Sequence, residues 1–389
     1  MSVVYDLCII GAGASGMAAA IAAGRQAPGG RILLLERMPR SGKKLLATGN
    51  GRCNLGNRHA GGHEYHNKDF AAPALEQFGP EACEAFFDSL GLAIYEDIEG
   101  RLYPRSNMAA SVLDALRFGV LRVGAEVRCD CPITDIAQSP DGFLLNGAIQ
   151  THRVIIAAGG CAAPAQGSDG SGFFLLRALG HSIVELRPAL VPITVKSPLL
   201  PMLKGLRVRG RIAIERNGRI LRQAQGEILF AEDGLSGIAA MEVSREARVG
   251  ALAALDLLPE YSCMELYVRL RAWQSACPET APTQLLAGFL PKRVGEAVAQ
   301  ACGEASLERI AEACKRFTFP VTGTRGFAHA QITAGGADVR EIDPLTLESR
   351  LASGLYACGE ALDVDGGCGG FNLHWAWASG VFAGFSATK

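Results

Sequence analysis

The feature that most constrains the fold is a G-x-G-x-x-G segment at residues 11–16, which separates an apolar run from an alanine-rich run. The apolar run predicts a β-strand over residues 3–10, and the alanine-rich run predicts a helix over residues 14–26. A further apolar run predicts a second strand over residues 31–36. Strand, helix and strand in this order form a βαβ unit, which implies a parallel sheet with a right-handed crossover.

The glycines of this segment predict a turn that binds a dinucleotide. Gly11 permits a tight turn, Gly13 lets a pyrophosphate approach the backbone, and Gly16 lets the helix pack on the strand. The helix N-terminus presents free amides and the positive end of its dipole to the phosphates. Glu36 ends the second strand, where a carboxylate accepts hydrogen bonds from a ribose. The residues assigned to the cofactor here are Gly11, Gly13, Ala14, Ser15, Gly16 and Glu36.

The segment after Glu36 is basic and contains a second glycine-rich loop. Residues 36–58 carry six basic residues and the single acid Glu36. Such a loop suits a cofactor that lies extended across the sheet edge, with its pyrophosphate compensated by positive charge. A solvated surface loop is the alternative, but the interleaved glycines indicate close approach of the backbone to a ligand. The residues assigned to the cofactor here are Arg37, Lys43, Lys44, Thr48, Gly49, Gly51, Arg52, Cys53 and Asn54.

A buried strand at residues 154–160 ends in small residues, a form common where a chain passes beneath FAD. An ordinary parallel strand with a glycine turn is the alternative interpretation of this segment alone. The residues assigned to the cofactor are Ala158, Gly159 and Gly160, together with Ile133 beside a predicted strand at residues 134–137.

The C-terminal segment at residues 355–373 decides which dinucleotide is expected. An apolar strand ends at Gly359 and Glu360, a loop rich in glycine follows, and a helix begins near Phe371. The carboxylate can hold a ribityl hydroxyl, and the helix N-terminus can stabilise an anionic reduced flavin. Because this helix and the first one come from opposite ends of the sequence, FAD is predicted rather than NAD. The residues assigned to the cofactor here are Gly359, Glu360, Asp363, Gly369, Gly370, Phe371, Asn372 and Leu373.

The middle of the chain has a different pattern. Residues 190–258 alternate apolar and polar positions over short runs, which predicts antiparallel strands, and residues 260–316 carry the periodicity of three short helices. The predicted fold class is α/β, with a Rossmann-like domain that is interrupted by an insertion. The predicted parts are 1–190 and 326–389 for the FAD-binding domain, 191–258 for the inserted β domain and 259–325 for a helical subdomain.

Composition sets broad limits. The 389 residues are 49% hydrophobic and 20% charged, as expected for two or three globular domains. The net charge of −1 gives no global indication of nucleic acid or of an anionic membrane as partner. No apolar run is long enough to span a bilayer, and twelve scattered cysteines predict reduced thiols. We therefore expect a cytoplasmic protein with a small-molecule substrate, no bound metal, no nucleic-acid partner and no membrane partner.

Short motifs along nearly the whole chain carry a family resemblance. They lie at residues 44–49 and 51–54, 226–230 and 234–237, 330–336, 359–360 and 362–366, and 372–373 and 375–377. In these motifs the chain resembles the BaiN-like (YhiN-like) family of bacterial FAD-dependent oxidoreductases, which includes aminoacetone oxidase. The resemblance implies a Rossmann-like FAD domain, an inserted β-barrel-like domain and a small helical piece.

Three positions depart from the residues usual in that family. Glu232 follows Ala231 where members commonly have Thr-His, Cys368 replaces a threonine, and His374 replaces a glutamine. These positions border the inserted domain and the flavin loop, so the resemblance does not determine the substrate.

Candidates for proton transfer are His329, Glu232 and His374. The structural alternatives are a histidine with satisfied hydrogen bonds for His329, a solvated turn for Glu232 and packing under the cofactor for His374. Cys53 and Cys368 both lie in flavin-proximal loops under the family resemblance, and buried reduced thiols are preferred to a redox pair.

The inserted domain is locally basic. Residues 196–222 carry eight basic side chains and one acid, Glu215. A solvated edge hairpin is one interpretation, since lysine and arginine protect edge strands. The other is capture of an anionic substrate or of NADPH phosphates. The basic residues are Lys196, Lys204, Arg207, Arg209, Arg211, Arg216, Arg219 and Arg222.

Three functions follow from these observations and from the resemblance. The first is a flavin reductase that takes hydride from NAD(P)H, a transient donor, and delivers it to an activated C=C bond, as in the steroid or bile-acid role that the resemblance implies. The second is an oxidase of a small amine such as aminoacetone. The third is a flavin-binding sensor or interaction protein without turnover. The first is favoured, because reduced thiols and a basic insert suit NAD(P)H better than oxygen-driven amine oxidation.

Overall fold

The computed structural model describes residues 3–303 and 306–389. The chain divides into a discontinuous unit, Met1–Arg187 with Gln331–Lys389, and an inserted unit, Pro188–Ala330. The insertion therefore starts three residues before the expected boundary and ends five residues after it. Within the described ranges no helix is both long and apolar enough to cross a membrane.

The strands, in chain order, are β1 (Val4–Ile10), β2 (Ile32–Leu35), β3 (Gly56–Asn57), β4 (Ile94–Glu96), β5 (Arg101–Pro104), β6 (Glu126–Arg128), β7 (Ile136–Ser139), β8 (Gly142–Leu145), β9 (Ile149–Ile156), β10 (Arg187–Ala189), β11 (Ile193–Val195), β12 (Arg207–Arg216), β13 (Arg219–Phe230), β14 (Gly234–Ser236), β15 (Leu252–Asp256), β16 (Phe317–Thr324), β17 (Ile332–Ala334) and β18 (Leu355–Ala357). The α-helices are α1 (Ala14–Gln26), α2 (Lys68–Gln77), α3 (Pro80–Asp88), α4 (Ala109–Arg122), α5 (Ser171–Ala178), α6 (Leu200–Leu203), α7 (Ile238–Val243), α8 (Cys263–Ala276), α9 (Pro282–Leu285), α10 (Lys292–Cys302), α11 (Leu307–Lys315) and α12 (Phe371–Ser386).

The discontinuous unit is built on one sheet in the order β6-β2-β1-β9-β8-β7, with β18 also paired to β9. Strands β6, β2, β1, β9 and β18 are parallel, whereas β8 and β7 are antiparallel additions. The predicted βαβ unit is confirmed as β1-α1-β2. The apolar periodicity of residues 73–90 predicts one helix there, but the structure has two, α2 and α3, because Gly79 is extended and Pro80 opens a new first turn.

Helices α1 and α12 pack at backbone contact. A Cβ atom on Gly380 would lie 2.3 Å from the carbonyl oxygen of Ser15, and one on Gly384 would lie 2.2 Å from that of Ala19. Only glycine fits at this distance. The contact fixes the two helices that begin at the glycine-rich turns of opposite chain ends.

The inserted unit is a closed antiparallel barrel in the order β11-β14-β13-β12-β15-β16. Its own core contains the fully buried side chains of Ile212, Phe230 and Phe319. The barrel-like insertion is confirmed. Residues 259–325, which were predicted to form a helical subdomain with three helices, contain four α-helices in their described part and end in β16, which pairs with both β15 and β11 and so completes the barrel.

Candidate functional site

The glycine turn at residues 11–16 has two glycines required by the fold and one that faces open space. A Cβ atom on Gly11 would lie 2.5 Å from the carbonyl oxygen of Ala157, and one on Gly16 would lie 1.8 Å from that of Gly11. A Cβ atom on Gly13 would meet no heavy atom within 4 Å. Because Gly13 also gives α1 no side-chain cap, the first amides of that helix are available to an anion.

Glu36 is held beside this turn. Its Oε2 accepts the amide of Ala12 at 3.1 Å, and its Oε1 accepts the amide of Met38 at 2.8 Å. Burial raises the pKa of the Glu36 carboxyl, and these two hydrogen bonds offset part of that effect. The carboxylate is therefore fixed at the end of β2, where the sequence predicted the ribose acid.

The loop at residues 48–54 is strained and carries an unsatisfied acceptor. Gly49 and Asn50 adopt left-handed conformations inside the 3-10 segment Lys44–Gly51, and the buried Cys53 has φ +59°. Left-handed backbone at non-glycine residues is costly and concentrates at functional sites. The Oδ1 atom of Asn54 is buried without a hydrogen-bond partner, and a Cβ atom on Gly51 would meet nothing within 4 Å. These features are those of a loop shaped around a ligand.

The predicted cations of the basic loop are not a freely solvated run. Their partners lie within the same unit. Lys43 Nζ donates to the Ala165 carbonyl (2.9 Å), and Lys44 Nζ pairs with Glu360 Oε2 (2.8 Å). Arg37 pairs with Asp169, and the Arg52 guanidinium lies 5.0 Å from the Tyr103 ring centroid. The hydroxyl of Thr48 donates to the Leu45 carbonyl at 2.6 Å. The loop is thus organised by its own contacts.

Glu360 is positioned by a network that the sequence did not reveal. Its Oε1 accepts the amide of Thr333 at 2.7 Å, while its Oε2 faces Lys44. The Thr333 hydroxyl in turn accepts the amide of Cys161 at 2.7 Å. A Cβ atom on Gly160 would lie 2.4 Å from that hydroxyl oxygen, so Gly160 is required. Thr333 belongs to the family motif at residues 330–336, which was the available signal.

The N-terminal and C-terminal glycine motifs meet. A Cβ atom on Gly359, which has φ +67°, would lie 2.6 Å from Ser15 Oγ. The amide of Gly359 donates to Ser379 Oγ at 2.9 Å, and its carbonyl accepts the indole N–H of Trp375 at 3.1 Å. The first turn of α1 and the strand end before the C-terminal loop are therefore in direct contact.

The C-terminal loop packs on residues 54–57. Gly370, with φ +100°, approaches so closely that a Cβ atom would lie 2.4 Å from the Gly56 carbonyl oxygen. Asn57 Nδ2 donates to the Gly369 carbonyl at 3.0 Å. Gly370 gives α12 no side-chain cap, so the amides of Phe371 and the residues after it remain available.

The side chain of Asn372 forms hydrogen bonds with the backbone of this loop. Its Oδ1 accepts the amide of Gly366 at 2.9 Å, and its Nδ2 donates to the carbonyls of Gly366 at 2.9 Å and Gly367 at 3.0 Å. Any contact of Asn372 with a cofactor is therefore left to its backbone. Leu373 and Phe371 pack in part against the core of the unit.

Asp363 is held by a segment that sequence reasoning missed. Asn67 Nδ2 donates to the Asp363 carbonyl at 2.6 Å and to its Oδ2 at 3.1 Å, and His66 Nε2 lies 3.5 Å from the same oxygen. The Oδ1 atom of Asp363 is buried without a partner. No local pattern identifies His66 and Asn67, because they reach Asp363 only through the folded chain.

The remaining assigned residues contribute to the surroundings of the site. Ile133 is buried in the core of the discontinuous unit. Gly159 has φ +73°, and a Cβ atom there would lie 3.0 Å from Ser168 Oγ, whereas Ala158 packs in part against the core. Cys53 and Cys368 form no disulfide. Burial raises the pKa of the Cys53 thiol to about 12, which opposes thiolate chemistry there.

The structure places His374 inside the core. Its ring has no exposed surface, Nε2 lies 2.9 Å from the Phe78 carbonyl oxygen, and Nδ1 has no partner. Burial lowers the pKa of His374, so the neutral ring that donates from Nε2 is the favoured form. This environment corresponds to packing under the cofactor loop, the structural alternative to proton transfer.

The other two predicted proton-transfer residues lie in the inserted unit. Glu232 is exposed and pairs with Lys204 at 3.0 Å, and His329 is exposed in a 3-10 turn. Asp233, which follows Glu232, has a carboxylate that accepts a hydrogen bond from Arg325 Nε at 3.1 Å. The Arg325 guanidinium lowers the pKa of the Asp233 carboxyl. Sequence reasoning missed Arg325, since the two residues of the pair are 92 positions apart in the chain.

These residues fit FAD on three observations. Two buried acceptors, Asn54 Oδ1 and Asp363 Oδ1, lack partners. Gly13 and Gly51 offer backbone that a ligand can approach. Two helices with no side-chain cap, α1 and α12, start from motifs that are in contact.

Comparison with known proteins gives the same class. The family model described as HI0933-like protein Rossmann domain matches residues 5–386. The 3-dehydro-bile acid delta(4,6)-reductase of Clostridium scindens is 37% identical over 98% of both chains. The ribosomal RNA dihydrouridine synthase of Escherichia coli is 31% identical over 96% of both chains. The predicted family resemblance is thereby confirmed.

Solved structures agree on the fold. The 3-ketosteroid delta1-dehydrogenase of Sterolibacterium denitrificans superposes with a TM-score of 0.56 at 14% identity, covering 99% of this chain and 100% of that one. A quinol-fumarate reductase superposes with a TM-score of 0.51 at 17% identity, covering 100% of this chain and 71% of that one. The chain therefore belongs to the HI0933-like protein Rossmann domain family, and it is an FAD-dependent oxidoreductase.

Proposed function

We propose that this enzyme reduces a carbon–carbon double bond conjugated with a carbonyl group, in a small substrate of the steroid type. The observation that carries the proposal is the 37% identity, over 98% of both chains, to the 3-dehydro-bile acid delta(4,6)-reductase. The relative named ribosomal RNA dihydrouridine synthase supports the same bond type. Dihydrouridine is uridine whose ring double bond, conjugated with a carbonyl, has been saturated.

The residues of the site have distinct proposed roles in holding FAD. The α1 N-terminus at Gly13 would hold the pyrophosphate, Glu36 the adenosine ribose, and Glu360 and Asp363 the ribityl chain. The α12 N-terminus would face the flavin ring, where its positive potential favours the reduced, anionic form. When bound, FAD supplies the hydride chemistry.

NAD(P)H is the proposed electron donor, and it binds transiently. The sequence has no second G-x-G-x-x-G that opens a βαβ unit, so the donor is proposed to bind and leave without a binding domain of its own. The test is to mix FAD-loaded protein anaerobically with NADPH or NADH and to follow the flavin absorbance. We expect rapid bleaching, and recovery of the absorbance when a 3-oxo-Δ4 steroid is added. Absence of bleaching with both donors would contradict the donor, and absence of recovery would contradict the substrate class. Peroxide production from aminoacetone would instead support an amine oxidase.

His329 and Glu232 are the proposed proton donors, because both have exposed side chains whereas His374 does not. Replacing a proton donor slows the half-reaction that needs the proton, by about a hundredfold or more. We expect His329→Gln or Glu232→Gln to slow the steroid-dependent recovery of flavin absorbance without changing bleaching by NADPH. Equal rates in all the proteins would remove both residues from this role.

A second candidate is reduction of a uracil base in RNA. Two full-length relatives bear the name ribosomal RNA dihydrouridine synthase, at 31% identity and, in Haemophilus influenzae, at 24% identity. A specific structural observation favours this candidate: on the inserted barrel, Arg209, Arg211, Arg216 and Arg219 are exposed and form no ion pair with any residue that the structure describes. Its test is mass analysis of a uridine-containing RNA after incubation with enzyme and NADPH, where a gain of two hydrogens per base is expected. No gain would leave the steroid-type substrate as the proposal.

A further inference from the structure

The longest hairpin of the inserted barrel is formed by β12 and β13. All ten residues of β12 pair with β13, with a shift in register between Ile214 and Glu215, and the strands are joined by Asn217 and Gly218, which have φ +52° and φ +73°. Two consecutive left-handed residues form a type I′ turn, which matches the twist of the two strands. The side chains on this hairpin are therefore displayed in a fixed order.

The first half of β12 carries arginines at three successive outward-facing positions. On β12, Val208 and Ile212 are buried, whereas Arg207, Arg209 and Arg211 alternate with the inward-facing positions and are exposed. Alternate residues of a strand lie about 7 Å apart. The guanidinium groups thus follow the strand at regular intervals.

Within the described residues most of these arginines form no ion pair, although Glu227 and Asp256 are the cross-strand neighbours of Arg209 and Arg211. Arg207 pairs with Glu227, and Arg222 lies 3.7 Å from Glu242. Among the residues that the structure describes, no carboxylate pairs with four of the arginines. These four are Arg209, Arg211, Arg216 and Arg219.

The tip of the hairpin places like charges opposite each other. Arg216 and Arg219 are direct cross-strand partners next to the turn. Like charges in this position destabilise a hairpin, so protection of a sheet edge by itself does not account for the pair. Ile220 and Leu221, which follow Arg219, are 58% and 46% exposed. Aliphatic side chains beside cations can pack on the sugars or bases of a bound strand.

We propose that the β12–β13 hairpin binds the phosphate backbone of an RNA strand. The inference rests on the second candidate function, for which it supplies the binding surface. Arg209 and Arg216 are seven residues apart on β12, or about 23 Å along the strand, which suits an extended polyanion better than the single diphosphate of NADPH. Arginine is the side chain best matched to phosphate geometry. The net charge of the whole chain is near zero, so the attraction is local to this hairpin.

The test is fluorescence anisotropy of a labelled, uridine-containing single-stranded RNA with FAD-loaded protein at several salt concentrations. We expect the double variants Arg209→Gln/Arg211→Gln and Arg216→Gln/Arg219→Gln each to weaken binding about tenfold or more. Each should also reduce the slope of log K against log[salt] by about 1.4, since each phosphate contact on a single strand contributes about 0.7. The matched control is Lys292→Gln/Arg293→Gln, which removes two exposed cations from α10 of the same unit.

Three results would overturn the proposal. The first is unchanged RNA affinity and salt slope in the double variants, and the second is an equal loss of affinity in the control. The third is that the double variants lose binding to phosphatidylserine vesicles but keep their binding to RNA. Bleaching by NADPH and recovery with a 3-oxo-Δ4 steroid are measured on the same variants. A higher NADPH requirement with unchanged RNA affinity would assign the arginines to the donor instead. If the unmodified protein does not bind RNA but still shows steroid-dependent recovery of the flavin absorbance, the RNA-binding surface is disproved and the main proposed function stands.

Discussion

The two units of this protein treat their charged and polar groups in opposite ways. In the discontinuous unit the cations near the glycine motifs have internal partners, as in the contact of Lys44 with Glu360, while the buried acceptors Asn54 Oδ1 and Asp363 Oδ1 have none. In the inserted unit four exposed arginines of one hairpin form no ion pair within the described residues. Buried acceptors fit a resident cofactor, because an unmade hydrogen bond in the interior is costly. Exposed unpaired cations cost little and fit a partner that binds and leaves.

The strongest test of the first region is Gly13→Val. Because a Cβ atom at Gly13 meets nothing within 4 Å, the fold should tolerate the side chain while the pyrophosphate is excluded. We expect folded, colourless protein, measured by the ratio of flavin to protein absorbance and by circular dichroism. Gly16→Val is the contrasting variant, since its Cβ would overlap the Gly11 carbonyl and should prevent folding. Full flavin content in Gly13→Val would contradict the assignment.

Asn54→Ala tests whether the buried acceptor belongs to the cofactor. Removing an acceptor that has no partner should leave the apoprotein as stable as before or stabilise it, whereas FAD binding should weaken by about 1–3 kcal/mol. Urea unfolding of apoprotein and titration with FAD measure the two effects. Asn57→Ala is the matched control, because both ends of that side chain are bonded and its loss should destabilise the apoprotein. Equal destabilisation by both variants would contradict a ligand-facing role for Asn54.

The buried ring of His374 predicts a pH dependence. Burial lowers its pKa in the folded state, so the unfolded chain binds the proton first as the pH falls below the ordinary histidine value of about 6.5. Stability should therefore decrease from pH 7 downward until the folded pKa is reached. His374→Gln should remove up to about 1.4 kcal/mol per pH unit from that slope. Urea unfolding at pH 7, 6 and 5.5 measures it, and an unchanged slope would show that His374 does not titrate on unfolding.

The smallest expected effect is at the exposed pair of Asp233 and Arg325. Arg325 lowers the pKa of Asp233, so the stabilisation is present above the ordinary aspartate pKa and is lost as pH falls through the lower folded value. Arg325→Gln should remove this loss of stability at low pH. The effect on the free energy of unfolding should be a few tenths of a kcal/mol, because the pair is solvated. Unfolding between pH 5 and 3 measures it. A loss of several kcal/mol at pH 7 would show that Arg325 is instead a structural residue.

Much of the cofactor region was predictable because its signals are local. A strand, a glycine turn and a helix are encoded in neighbouring residues, so the turn at residues 11–16 and the loop before Phe371 could be read directly. The start of α3 at Pro80 was missed although Gly79 and Pro80 stand in the sequence, since the apolar periodicity continues through them. Strand β16 was missed because its role as the closing strand depends on β11, more than a hundred residues earlier.

The sequence by itself determined the class of the protein: an interrupted Rossmann-like fold, FAD as cofactor and the family to which the chain belongs. Glycine spacing and hydrophobic period are local properties of the chain, and each limits the backbone directly. Only the tertiary structure decided that Glu360 is held by Thr333, that His374 is buried in the core, and that four exposed arginines form no ion pair among the residues described. Burial and ion pairing depend on which distant segments meet, and that information is absent from any one stretch of sequence.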